Sequence, residues 1–243
     1  MARFFIAGTN IAGGTAIIRG RDAEHVKVLR LRPGEDVVLC DGDGTDYRGR
    51  LVKSDKDEAE VEILEVVRCP AEPTVKVTVL CGLPKGDKTE YIIQKCVEAG
   101  ANEILFFQSN RCVARPDAPE KKLERWQRIS EEAAKQSGRG IIPRVGWVGE
   151  FADALNEAVQ KDLGLFLYET GEREGLDAVL ESNRQAETLA LITGPEGGFA
   201  PFEADLARIT GLHLCSMGER ILRCETAPVV ALTAVMYATG NLG

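Results

Sequence analysis

Along residues 3–67 the apolar positions fall in short runs, several alternating with polar ones. "RFFIAG", "TAIIRG", "EDVVLCDGDG", "TDYRGRLVKS" and "EAEVEILEVV" are parted by glycine and aspartate turn signals. "DAEHVKVLRL" breaks that rhythm and predicts a short helix. Strands so short and so closely spaced predict a small β-barrel rather than a parallel sheet. "CPAEPT" (69–74) carries two prolines and is expected to be a linker. Beyond it the period changes. "VKVTVLCG", "EILFFQ", "LGLFLYE", "TLALIT" and "LHLCS" are apolar, β-branched or aromatic runs, and between or after them lie five helical patterns: "KTEYIIQKCVEAG", "PEKKLERWQRISEEAAKQSG", "FADALNEAVQ", "PFEADLARIT" and "APVVALTAVMYATG". Strands alternating with helices predict a largely parallel sheet covered on both faces. In such sheets ligands lie beyond the carboxyl ends of the strands.

Composition narrows the class. The chain has 243 residues and is 44% hydrophobic, enough for one large domain or two unequal ones. Its seven cysteines form no C-x-x-C pair and several sit inside apolar patterns, as reduced thiols do. With only His25 and His213 to join them, no metal site is expected. No apolar run approaches membrane-spanning length and "MARFFIAGTN" lacks a signal-peptide pattern, so a cytoplasmic protein without a membrane partner is expected. The net charge of −8 argues against a polyanionic partner until its distribution is followed. Residues 1–32 carry six Lys/Arg against two Asp/Glu, and residues 84–144 twelve against nine, whereas residues 145–243 carry six against fifteen. A basic face for nucleic acid therefore stays open beside a plain solvated surface.

Three stretches bear on chemistry. "GLPKGDKTEYII" (82–93) follows a strand and opens a helix, but its glycine and lysine spacing misses the P-loop by one residue, and Asp87 would face phosphate. Lys85 and Lys88 are left as candidate RNA phosphate contacts or as a solvated helix start. "GPEGG" (194–198) offers bare backbone at a strand end, either a tight turn or a place where a ligand touches the main chain. "SMGERILRCETAP" (216–228) also follows a strand and precedes a helix. With "YETG" (168–171) these loops are expected to line one crevice, acidic and rich in backbone, with no Ser-His-Asp set and no phosphate clamp. Such a crevice suits a cationic adenosine-type ligand such as S-adenosylmethionine.

"RFFIAG", "HVKVLRLRPGEDVVLCDGDG", "KGDKTEYIIQKCVEAGANEILFFQSNRCVARP", "EEAAKQSGRGIIPRV", "LITGPEGGF" and "MGERILRCETAPVVAL" resemble, in order and spacing, the RsmE family, over nearly the whole chain. That family methylates the ring nitrogen N3 of a uridine in 16S rRNA. The resemblance implies an α/β fold: a PUA-like β-barrel for RNA over 1–70, then a SPOUT methyltransferase domain over 74–243 with a trefoil-knotted parallel sheet. It also implies a homodimer and, as partner, 16S rRNA or the small ribosomal subunit. The departures are Met217, where the family usually has Leu, and Glu219, where it often has Pro.

Carried over residue by residue, the cofactor would meet Leu167, Glu169 and Thr170; Thr193, Gly194, Pro195, Glu196, Gly197 and Gly198; and Met217, Gly218, Ile221, Leu222 and Arg223. Arg223 is the candidate to stabilise the uridine anion, with Glu225 or Glu196 accepting the proton or orienting Arg223. Cys224 is assigned to packing, since methylation at nitrogen needs no covalent nucleophile. RNA would be met by Arg3, Arg30 and Arg32 in the first domain and by Lys85, Lys88, Arg111, Arg115, Gln136 and Arg139 in the second, unless these arginines pair with the chain's own carboxylates. Trp126 is expected in the core. The rival readings are a methyltransferase of the same fold acting on a ribose 2′-oxygen or a guanine nitrogen, and a noncatalytic RNA-binding or assembly protein.

Overall fold

A computed structural model of the chain describes residues 1–6, 10–55, 57–114 and 119–242, the side chains of 119–121 excepted. The described residues divide into two units: 1–72 with 134–142, and 73–133 with 143–242.

The first unit is built on a six-stranded sheet and one helix. Its strands are β1 (Ala2–Phe5), β2 (Ile11–Ala12), β3 (Thr15–Arg19), β4 (Asp36–Cys40), β5 (Thr45–Ser54) and β6 (Glu58–Arg68), and its helix is α1 (Arg21–Val28). Hydrogen bonding orders the strands β1-β4-β5-β6-β3-β2, antiparallel except for β1 beside β4. Alternation does the work predicted of it. Phe4, Ile18, Leu39, Leu51 and Val61 are turned inward from five strands and meet Ala23 and Val26 of α1 in one core. The boundary between the units falls inside the 69–74 segment expected to be a linker, and its first part is packed. Cys69 is buried with its amide bonded to Gly44 O at 2.8 Å, and Glu72 is buried against Arg139.

The second unit carries β7 (Lys76–Gly82), α2 (Lys88–Glu98), β8 (Glu103–Gln108), most of α3 (Pro119–Ser137), β9 (Arg144–Glu150), α4 (Phe151–Ala158), β10 (Leu163–Leu167), β11 (Glu174–Gly175), α5 (Leu176–Ser182), β12 (Thr188–Thr193), α6 (Pro201–Ile209), β13 (His213–Ser216) and α7 (Ala227–Ala238). Its seven strands are all parallel, in the order β11-β13-β10-β12-β7-β8-β9. Continuous apolar runs form the central strands because both faces are covered. On one face α4 and α6 close over Leu80, Leu105, Phe107, Phe166 and Ile192, and on the other α7 packs on β7 and β12. Trp126 of α3 is buried, its ring 5.0 Å from that of Phe106. Burying each such side chain is worth about 1.5–3 kcal/mol. The sequence pattern missed β2 in the first unit and β9, β11 and α5 in the second.

Because every strand runs the same way, the carboxyl ends share one edge. Register puts Thr193 level with Cys81 and Leu167 level with Cys215. The loops after β7, β10, β12 and β13 therefore leave the sheet side by side. The polar and glycine-rich stretches of the sequence lie on these loops.

Candidate active site

Each loop is held open by a different local device. After β12, the Gly198 amide donates to Pro195 O at 2.9 Å, folding residues 195–198 into a turn whose Gly198 has φ +62°. Phe199 then drops into the core, its ring centroid 4.3 Å from that of Phe166, and pins the end of the turn. Gly82 lets this loop lie against the end of β7: a Cβ there would stand 2.6 Å from Pro195 Cδ. After β13, Gly218 has φ +97° and its amide donates to Ser216 Oγ at 3.2 Å. The same loop ends where the amides of Thr226 and Ala227 donate to Arg223 O, at 2.8 and 2.9 Å, to start α7. After β10, Arg173 Nη1 donates to Glu169 O at 2.8 Å and closes the 169–173 turn.

The three loops line one cleft of about 470 Å³, a size suited to a small molecule. Of the residues expected at a cofactor, Leu167, Glu169, Thr193, Gly194, Pro195, Glu196, Gly198, Met217, Gly218, Ile221, Leu222 and Arg223 all line it. Thr170 is exposed and does not line it. Gly197 turns away, its carbonyl accepting from Arg111 Nη1 at 3.1 Å. Gly198 is needed for its turn, at a φ that L side chains rarely adopt, and a Cβ there would also displace the end of the Glu169 side chain. The wall is not acidic as expected. Lys88, Arg173, Arg220 and Arg223 face it together with Glu169, Glu196, Glu219 and Glu225. A balanced wall with backbone between its charges fits a ligand that is itself part zwitterion and part cation, as S-adenosylmethionine is.

The polar centre of the cleft is a cluster that the sequence reading did not assemble. Lys88 Nζ lies 2.8 Å from Glu196 Oε1, 3.4 Å from Glu225 Oε2 and 3.7 Å from Cys224 Sγ. Glu196 Oε1 also accepts from the Lys85 amide at 3.1 Å. The hydrogen bond to Glu196 raises the Lys88 ammonium above its ordinary range. Partial burial would push Glu196 up, but the hydrogen bonds from Lys88 and from backbone amides prevail and hold it below the usual carboxylate range. Glu225 is held low as well, first by its own backbone amide and further by the Cys224 thiol and Lys88. Burial, with the hydrogen bond to Glu225, pushes the Cys224 thiol up to about 12, so it stays protonated and unreactive at neutral pH.

These contacts correct two expectations. Glu196 and Glu225 orient Lys88 and not Arg223, and a carboxylate held low by three donors is a poor proton acceptor. Arg223 is exposed at the cleft, and its side chain makes no ion pair or hydrogen bond among the described residues.

The expected RNA contacts separate as sharply. Arg3 grips Asp46 with two bonds of 2.7 Å, and Arg139 is buried against Glu72 at 2.7 Å; both are structural braces, withdrawn from any nucleic-acid surface. Arg30, Arg32, Lys85, Arg111 and Gln136 are exposed. Arg30 holds φ 55°, a left-handed backbone that costs a bulky residue about 1–2 kcal/mol. Lys85 and Arg111 flank the 194–198 loop, through the bonds to Glu196 and Gly197 already given. Arg115 lies outside the described residues. Tyr168 and Arg220 also face the cleft, from within the loops expected to line it, whereas Arg173, three positions beyond Thr170, was not expected there.

Residues 70–236 match the RNA methyltransferase domain and residues 18–64 the RNA methyltransferase PUA domain. A curated relative, Ribosomal RNA small subunit methyltransferase E of Bacillus subtilis (strain 168), is 37% identical over 251 residues, covering 98% of this chain and 97% of its own. Ribosomal RNA small subunit methyltransferase E from Neisseria gonorrhoeae, bound to S-adenosyl methionine, superposes with a TM-score of 0.83 at 31% identity, over 98% of this chain and 97% of that one. A Legionella pneumophila methyltransferase in complex with its bound cofactor SAM gives 0.82 at 29% identity, over 97% of both chains. This chain is an RNA methyltransferase with a PUA domain. It belongs to the ribosomal RNA small subunit methyltransferase E family.

Proposed function

We propose that the chain transfers a methyl group from S-adenosylmethionine to ring nitrogen N3 of a uridine in 16S rRNA. The observation that carries this reading is the convergence of three strand-end loops on one cleft where Arg223 stands unpaired. S-adenosylmethionine, when bound, supplies a methyl made electrophilic by its sulfonium. Uridine N3 bears a weakly acidic proton, so the nitrogen attacks only as that proton departs and negative charge spreads onto the flanking carbonyl oxygens. Arg223 meets that charge without first breaking an ion pair, which makes its stabilisation available in the transition state. The 194–198 and 217–225 loops hold donor and acceptor in line, which by itself removes a large part of the barrier. The proton passes to solvent or to a carboxylate other than the tied Glu196 and Glu225.

The finer assignments go with this reading. Residues 1–70 form a PUA-like barrel that holds RNA through Arg30 and Arg32, and residues 74–243 form the catalytic SPOUT domain, with Lys85 and Arg111 on the RNA beside the cleft. The parallel order β13-β10-β12, with the 217–226 loop entering the same cleft as the loops of its neighbours, suits a trefoil-knotted chain. Val230 and Tyr237, apolar and exposed on α7, suit a homodimer. Ribosomal RNA as substrate makes the working place the cytoplasm; no helix among the described residues is long and apolar enough to cross a membrane.

The test is Arg223→Ala assayed on 16S rRNA, with nucleoside mass spectrometry of the product. Methyl transfer should fall at least a hundredfold while S-adenosylmethionine binding changes less than threefold. Near-normal turnover would remove Arg223 from the chemistry, and a product methylated on ribose or guanine would replace the uridine assignment.

A further inference from the structure

We propose that Lys88 is a positioning residue for methyl transfer: its ammonium ties Glu196 of the loop after β12 to Glu225 of the loop after β13, and so sets the gap in which the methyl donor lies. The inference rests on the proposed use of the cleft and adds to it a residue that touches neither reacting atom.

Three observations support the tie. Lys88 is the first residue of α2, where the exposed amides of the helix end disfavour a cation. A lysine there works against its own helix unless anions meet it, and two do, at 2.8 and 3.4 Å, each from a different loop. Next, β7 lies beside β12 in the sheet, so the helix that follows it reaches the end of β12, and α2 also packs on α7, which the second loop leads into. Lys88 thus stands on a rigid helix between two loops that have no strand pairing of their own at these residues. Last, the lysine stem is flexible and its ammonium has three donors, so it can follow small changes in both loops while keeping both carboxylates. The raised Lys88 and lowered Glu196 and Glu225 pKa values keep all three charged across the neutral range.

The measurement is S-adenosylmethionine binding to the full-length chain by calorimetry, beside 16S rRNA binding over a salt series. Lys88→Met keeps the stem and removes the charge. It should weaken S-adenosylmethionine at least tenfold, raise its KM by a similar factor with a smaller fall in kcat, and leave RNA affinity within twofold. Lys88→Arg should recover binding to within threefold of the parent. Adding Glu225→Gln to Lys88→Met should cost less than threefold more, because the tie is already cut. If Lys88→Met does not fold, Glu225→Gln alone carries the test and should weaken S-adenosylmethionine at least threefold. The proposal is overturned if Lys88→Met binds S-adenosylmethionine within twofold of the parent, and equally if it loses RNA affinity with a salt slope lower by about one, which marks a phosphate contact. A parent chain that binds no S-adenosylmethionine would remove the proposed function itself, an outcome visible before any variant is made.

Discussion

The two units each contain an ion-pair cluster, built from similar groups and set in different surroundings. In the first, Glu72 accepts from Arg139 Nη2 at 2.7 Å and from the amides of Gly140 and Ile141 at 2.8 and 3.0 Å, with the Arg139 and Glu72 side chains only 3% and 6% exposed. In the second, Lys88 and Glu196 meet at 2.8 Å but remain 31% and 30% exposed. Arginine's planar fork fixes its partner in one geometry and suits a joint that never opens. A lysine at the rim of a cleft swings on a flexible stem and can follow its carboxylates as they shift. Burial therefore separates a brace from an adjustable tie, although the contact distances are almost the same.

Breaking the brace should give the largest effect. Glu72→Ala removes a buried acceptor from the Arg139 guanidinium and from two amides, a loss of about 3 kcal/mol. Urea unfolding would measure it, with Glu72→Gln milder because a carbonyl oxygen remains to accept from the amides. If Glu72→Ala costs under about 1 kcal/mol, the brace behaves as a surface pair and the contrast fails. Next comes the cleft. Gly198→Ala must place a side chain at φ +62° and displace the end of the Glu169 side chain in the cleft. It should weaken S-adenosylmethionine at least tenfold in a calorimetric titration, while unfolding stability falls only about 1–2 kcal/mol. Gly218→Ala meets open space and pays only for its φ of +97°, so it should perturb binding less.

Acid sharpens the same contrast. The ordinary value for both Glu196 and Glu225 is 4.5, and both are held below it in the folded chain. Their contribution is then fully present above that value and is lost as pH falls through the folded pKa values beneath it. Binding of S-adenosylmethionine should accordingly hold steady down to mildly acidic pH and weaken below about pH 4.5 through these groups. A titration that loses the tie near neutral pH would show that at least one of the two carboxylates is not held low. Cys224, pushed up to about 12, should contribute no alkaline limb to the pH–rate profile near neutrality.

Much of the fold could be read in the sequence because periodicity reports burial directly. The run Val77–Gly82, apolar but for Thr78, is buried throughout, while "EAEVEILEVV" alternates where one face meets solvent. β9 escaped notice because "RVGWVGE" mixes glycine and charge, and only its pairing with β8 makes it a strand. The loops lining the cleft were legible as loops because glycine and proline after a strand mark a turn, and only the family resemblance named which of their residues would meet a ligand. Charge partners were not. Nothing in the order of residues says that Lys88 faces Glu196, 108 positions away, or that Arg139 turns into the protein toward Glu72. Such pairs depend on which strands become neighbours. The surface arginines and the braces therefore looked alike until the fold separated them.

The smallest expected effect supplies a third point on the burial scale. Arg19 Nε meets Glu58 Oε1 at 2.8 Å, the separation found for Lys88 and Glu196, with the two side chains 59% and 54% exposed. If distance ranked these pairs, the two would weigh the same. Solvent screening and the entropy of holding two long side chains argue otherwise, and exposed pairs of this kind contribute about 0–1 kcal/mol. Arg19→Ala should therefore shift the urea midpoint barely or not at all, and added salt should erase whatever shift remains. Salt should weaken the Lys88 tie in part and leave the Glu72–Arg139 brace nearly untouched. A salt response equal in all three would mean that water reaches the brace as freely as it reaches the surface, and burial would no longer distinguish them.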